Sequence, residues 1–125
     1  VLIVTTPQDV ALIDCKKGID IFRSKDINIL GIVENMSVHI CSNCGHMDHI
    51  FGEDGAKKLE EEYDATVIGR IPLNTSIRID SDNGMPITLK DKDGPIGTVY
   101  KSIAEEIMKE CIEDVEQDDG ETDPR

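Results

Sequence analysis

The chain has 125 residues, enough for one domain with a modest core, and a formal net charge of −13 that argues against nucleic acid or an anionic membrane as partner, since both select basic surfaces. Its longest apolar runs, residues 1–4 and 29–33, are far too short to cross a bilayer, and no signal-peptide pattern is visible. Four cysteines without a secretory signal point to a reducing, cytoplasmic setting in which thiols serve as ligands or core residues.

Residues 1–4 form a β-branched apolar run that reads as a buried strand, stopped at Thr5-Thr6-Pro7. Asp9 is the expected cap of a helix over about 10–23, in which Ala11, Cys15, Gly18 or Ile19, and Phe22 make one apolar stripe. A second strand follows at 29–34, then a loop over about 35–52, then a helix at roughly 53–63 with a charged outer face. Residues 66–71 read as a third strand ended by Pro72, and a short helix over about 74–82 closes at Asn83-Gly84.

After an irregular stretch with Pro86 and Gly94-Pro95, the last helix starts at Pro95, a residue suited to a first helical turn, and runs to about 115. Its Ile96, Val99, Ile103, Ile107, Cys111 and Val115 form a stripe wide enough to pack on a sheet. Cys15 and Cys111 both fall on apolar faces and are expected to be buried, inert thiols. Residues 113–125 hold seven carboxylates against Arg125, and 116–125 are expected to be a disordered acidic tail.

Strands and helices alternate, and the strands are too apolar to be half-exposed. This predicts an α/β fold over 1–115, a parallel sheet flanked by helices with right-handed crossovers. Three strands make a thin sheet, and the chain opens directly in a strand, so an N-terminal half is expected upstream. Ligands of such sheets sit at the carboxyl ends of the strands, where the 35–52 loop lies.

That loop carries Cys41-Ser42-Asn43-Cys44-Gly45-His46-Met47-Asp48-His49, two thiols and two imidazoles within nine residues. A C-x-x-C pair followed by Gly reads as half of a metal site, because the glycine lets the backbone fold back and both thiolates face one ion or cluster. No second C-x-x-C exists in the chain. Either His46 and His49 complete a zinc site locally, with a cramped one-residue gap between Cys44 and His46, or a second copy supplies the missing thiolates. A dithiol redox centre is a third reading, disfavoured because Gly45 and its polar neighbours discourage the helix that would lower a cysteine pKa.

Several segments together resemble the C-terminal half of the Mrp/ApbC family of iron–sulfur carrier ATPases, part of the deviant P-loop group with MinD-like and ParA-like proteins. They are Thr5-Thr6-Pro7-Gln8, Gly31 through Ser37, Cys41 through Gly45, Ile50-Phe51-Gly52 running into Gly55-Ala56, Gly69 through Leu73, and Ile77-Arg78 with Asp82 through Pro86. The resemblance reaches to about residue 112 and implies a partial P-loop NTPase fold of MinD-like type.

It further implies a homodimer in which Cys41 and Cys44 of each subunit hold one labile, bridging 4Fe–4S cluster for delivery to apo iron–sulfur proteins. Four thiolates, two from each copy, match what such a cluster requires. By the same resemblance Asn35 and Pro72 contact the adenine of ATP, bound with Mg²⁺ in the intact protein, and the Thr5–Gln8 turn lies near the nucleotide or the partner. The family's Lys-Gly-Gly-x-Gly-Lys-Ser/Thr loop does not occur in this chain, so no catalytic residue is assigned and ATP hydrolysis by this chain alone is not expected. The competing reading from the residues is a zinc-stabilised dimerisation module.

Overall fold

A computed structural model describes residues 1–118, the side chains of 113–118 excepted. The elements in chain order are β1 (Leu2–Thr5), α1 (Asp9–Ser24), β2 (Gly31–Glu34), β3 (His39–Ile40), β4 (Met47–Asp48), α2 (Gly55–Tyr63), β5 (Val67–Arg70), α3 (Thr75–Asp82), α4 (Ile87–Lys90) and α5 (Pro95–Asp118). Strands β1, β2 and β5 form the expected parallel sheet in that order, with Ile3 opposite Ile32 and Val33 opposite Gly69. A register shift between Ile32 and Val33 leaves Ile68 as an extra residue on β5, a local bulge.

Successive strand residues point to opposite faces, which explains why these strands are apolar throughout. On one face Ile3 and Ile32 meet Leu12 and Ile19 of α1 and Ala56 and Leu59 of α2. On the other, Val33 and Ile71 meet Ile103 of α5, with Leu2, Ile68 and Val99 packed around them. Gly69 allows α5 this approach, since a Cβ there would lie 2.3 Å from the Ile103 side chain.

Several expectations need correction. Gln8, not Asp9, occupies the N-cap of α1, and no side chain bonds there; Asp9 begins the helix and accepts instead from Lys58 Nζ at 3.3 Å. Cys111 is exposed, because it lies on the half of α5 that extends past the four-residue strands, along with Met108 and Ile112. The 35–52 segment is not a plain loop, since β3 and β4 pair as a short antiparallel hairpin within it.

Cys15 is half-buried against the α1 side of the core, its thiol 3.7 Å from the Val4 carbonyl. Helix α5 runs to Asp118, three residues into the segment read as acidic tail, and the expected disorder of 119–125 lies outside the described residues. No described helix is long and apolar enough to cross a membrane.

Candidate functional site

The carboxyl ends of β2 and β5 continue as a ladder that roots the cysteine hairpin. Ile71 N–H donates to the Glu34 carbonyl at 2.8 Å, Ser37 N–H to Ile71 at 3.0 Å, and Leu73 N–H to Val38 at 2.8 Å, before a parallel bridge joins His39 to Leu73. From this root the hairpin pairs His39 with Asp48 and Ile40 with Met47, and Cys41 through His46 form its tip. At the tip Cys41 N–H donates to the His46 carbonyl at 2.9 Å, and Gly45 N–H to the Cys41 carbonyl at 2.8 Å. Gly45 has φ +73°, the left-handed backbone that glycine adopts without a Cβ clash, and this reversal closes the tip.

Cys41 and Cys44 are thereby brought together, Cys44 exposed and Cys41 half-buried. The Cys41 thiol is held below its ordinary pKa, first by the Cys44 amide N–H, then by the Asn43 amide, then by the Cys44 side chain. Hydrogen bonds to the charged form favour it, so this tip favours a thiolate, the form that binds metal.

The histidines do not close a tetrahedron around that pair. Among the described residues no three His, Cys, Asp or Glu side chains gather into a group that could hold a metal ion. His49 turns away from the tip: its Nδ1 lies 3.2 Å from the Ser37 carbonyl, where it donates, and its Nε2 lies 3.7 Å from Glu53. His39 sits half-buried in β3, and His46 is exposed.

Asn35 and Pro72 also come together. They line a pocket of about 160 Å³ with Leu73, Asn74, Ile77 and Arg78. The Asn35 side-chain oxygen accepts the Met36 N–H at 2.9 Å, and its NH₂ group has no partner among the described residues. Asn35 also borders an open pocket of about 300 Å³ beside Thr5 and Thr6, so the β1 turn adjoins the same residue.

Sequence reasoning missed Glu34. It is 2% exposed, its Oε2 accepts the Ala56 N–H at 2.7 Å, and its Oε1 lies 3.7 Å from Arg70 Nε. A carboxylate closing an otherwise apolar strand was the available signal. From this position it fixes the start of α2, and hence the far end of the cysteine segment, to the sheet. Asp80 was missed as well: it is 4% exposed, paired with Lys90 at 2.6 Å, with its second oxygen unpartnered.

A family model described as ParA, the NUBPL iron-transfer P-loop NTPase, matches residues 1–108. Among curated proteins, the iron–sulfur cluster carrier protein of Pseudomonas fragi is 50% identical over 82% of this chain and 36% of its own length. Its counterpart in Escherichia coli K12 is 49% identical over 85% of this chain and 29% of its own. The mouse iron–sulfur cluster transfer protein NUBPL is 44% identical over 86% of this chain and 34% of its own. The chain thus spans about a third of the length of these relatives.

Among solved structures, the cell division ATPase MinD of Pyrococcus furiosus superposes with a TM-score of 0.66 at 25% identity, over 86% of this chain and 41% of that one. A nucleotide-binding protein from Archaeoglobus fulgidus in complex with ADP gives 0.60 at 32% identity, over 74% and 37%. The parallel sheet with flanking helices is therefore of MinD-like type, and the chain belongs to the ParA/NUBPL family of iron-transfer P-loop NTPases.

Proposed function

We propose that this chain is the cluster-bearing part of an iron–sulfur carrier. Two copies meet so that Cys41 and Cys44 of each hold one 4Fe–4S cluster as cargo, which is then passed to apo-proteins. The observation that carries this reading is the thiol pair on the hairpin tip, Cys44 exposed and Cys41 half-buried, with Cys41 biased toward thiolate by two backbone amides and no third ligand gathered with the pair among the described residues. Such a half-site holds a cluster only with help from outside the chain, and sulfur ligands at an exposed tip exchange with those of an incoming acceptor. Each acceptor thiolate that binds iron releases one carrier thiolate, so no electron is gained or lost.

In the same reading, ATP with Mg²⁺ is bound and hydrolysed by a longer chain that contains a phosphate-binding loop. Asn35 and Pro72 would frame the adenine, the Asn35 NH₂ donating to a ring nitrogen. The relatives' names as carrier and transfer proteins support cluster delivery. A homodimer working in the cytoplasm accords with the half-site and with free thiols, and the acidic composition accords with no nucleic acid or membrane partner.

Anaerobic reconstitution of the chain with iron and sulfide tests the reading. Iron and acid-labile sulfide at about two each per chain, half a cubane cluster, are expected, and both vanish in the Cys41→Ala/Cys44→Ala variant. Zinc bound by the four thiolates of two copies and not displaced by iron would identify a structural dimerisation module and overturn it.

A further inference from the structure

A cleft of about 390 Å³ opens beside the cysteine hairpin, between it and the first turns of α5. Ile40 and Met47 form one wall, being a cross-strand pair on the same face of the ribbon, and Ile96 and Val99 of α5 form the other. Ile40 directly precedes Cys41 in the chain, and neither Cys41 nor Cys44 lines the cleft, so the cleft lies at the base of the hairpin whose tip carries the thiols. Met47 is 58% exposed, and among the described residues the cleft holds no side chain that covers it.

The charges around the cleft are unbalanced. Glu34 and Arg70, both at its edge, answer each other. Glu53 and Asp54 remain on the rim, with only His49 facing Glu53 at 3.7 Å. A complementary occupant has an apolar side chain for the cleft and a neighbouring cation for the rim.

We propose that the cleft is the docking site for the acceptor protein, taking a segment that presents an apolar side chain next to Lys or Arg. The proposal rests on the carrier reading and names the partner chemistry for that same site. It makes docking and ligand exchange adjacent events: the cation steers the acceptor to the rim, the apolar side chain seats against Ile40 and Ile96, and the acceptor's cysteines then reach the cluster.

The test uses the cluster-loaded chain and three four-cysteine acceptor peptides that differ only in a flanking tripeptide: Leu-Lys-Arg, Leu-Glu-Glu or Gly-Lys-Arg. Transfer to the Leu-Lys-Arg peptide is expected to exceed transfer to the Leu-Glu-Glu peptide by about tenfold at low salt, an advantage that shrinks as salt screens it. The Gly-Lys-Arg peptide is expected to be slower than Leu-Lys-Arg. Glu53→Lys, on a side chain 71% exposed, should abolish or invert the charge preference. Glu61→Lys, the same change in net charge on α2 away from the cleft, should leave it intact.

Ile96→Glu should remove the advantage of leucine over glycine, and Glu53→Lys serves alone if that variant does not fold. Iron loss to a small chelator, which needs no docking, should be the same in every variant. Equal responses of Glu53→Lys and Glu61→Lys would overturn the docking site while leaving the carrier reading standing. So would a shift in self-association by Glu53→Lys with the peptide preference unchanged, which would assign the cleft to a second copy. A wild-type chain that loads no cluster, or passes none to any peptide, would instead overturn the carrier reading itself.

Discussion

The sheet and the cysteine hairpin are held together by different forces. In the sheet, Ile32 is fully buried against the equally buried Ile19 of α1, and the central strand β2 is buried along its whole length. In the hairpin, each strand has two residues, the tip is closed by two backbone hydrogen bonds, and Met47 and Cys44 face solvent. Burial of apolar area stabilises the first, whereas the second borrows its position from the Ile71–Leu73 ladder. The contrast separates stability from the thiols: the sheet supplies a fixed edge, and the two cysteines stand on an appendage outside the core.

Substitutions that break this division rank by how much core they touch. Ile32→Ala removes a fully buried side chain from the layer between β2 and α1, and is expected to lower unfolding free energy by about 3 kcal/mol, read by urea denaturation. A loss under about 1 kcal/mol would mean that the sheet face is less tightly packed than its burial indicates. Glu34→Ala sits on the boundary between the two regions. It leaves the Ala56 N–H without its acceptor and Arg70 without its partner, so a loss of about 2 kcal/mol is expected. Because Glu34 ties the end of the cysteine segment to the sheet, faster amide exchange over the hairpin should accompany that loss. Global destabilisation without faster hairpin exchange would show that the ladder alone positions the tip.

The same division governs what could be read from the sequence. The order of strands and helices was legible because buried strands demand unbroken apolar runs, as in Ile32-Val33, whereas Val4, read as part of a buried strand, is 55% exposed. The hairpin was not, since two residues per strand have no periodicity and its pairing depends on backbone bonds to Leu73. Cys111 was misplaced for a matter of length. At 1.5 Å per residue α5 extends about 36 Å, whereas four-residue strands reach about 13 Å, so the apolar stripe outruns the sheet beneath it. The cysteine pair was legible from spacing alone, and Asn35 and Pro72 were matched through family resemblance. Glu34 was hidden because burying a carboxylate depends on Arg70, a partner far along the chain.

Cys41→Ser/Cys44→Ser removes both thiols from the exposed tip and is expected to change unfolding free energy by less than about 0.5 kcal/mol. A larger loss would mean that the tip contributes to the fold.

The smallest effect expected is also the sharpest probe of the tip. Cys41 has a lowered pKa, so its thiolate persists to lower pH than in a free cysteine, and alkylation proceeds through the thiolate. The Cys41 iodoacetamide rate, followed by peptide mass spectrometry, should therefore rise with pH through a midpoint below that of N-acetylcysteine. The Cys44 amide is the leading cause and the Cys44 side chain the least of the three that lower it. Cys44→Ala keeps the amide and removes the sulfur, so the midpoint should stay below the free-thiol value. A return to the free-thiol midpoint would make the two thiols, rather than the folded backbone of the tip, the source of the shift. The hairpin would then contribute proximity alone, and the poise toward thiolate would belong to the pair.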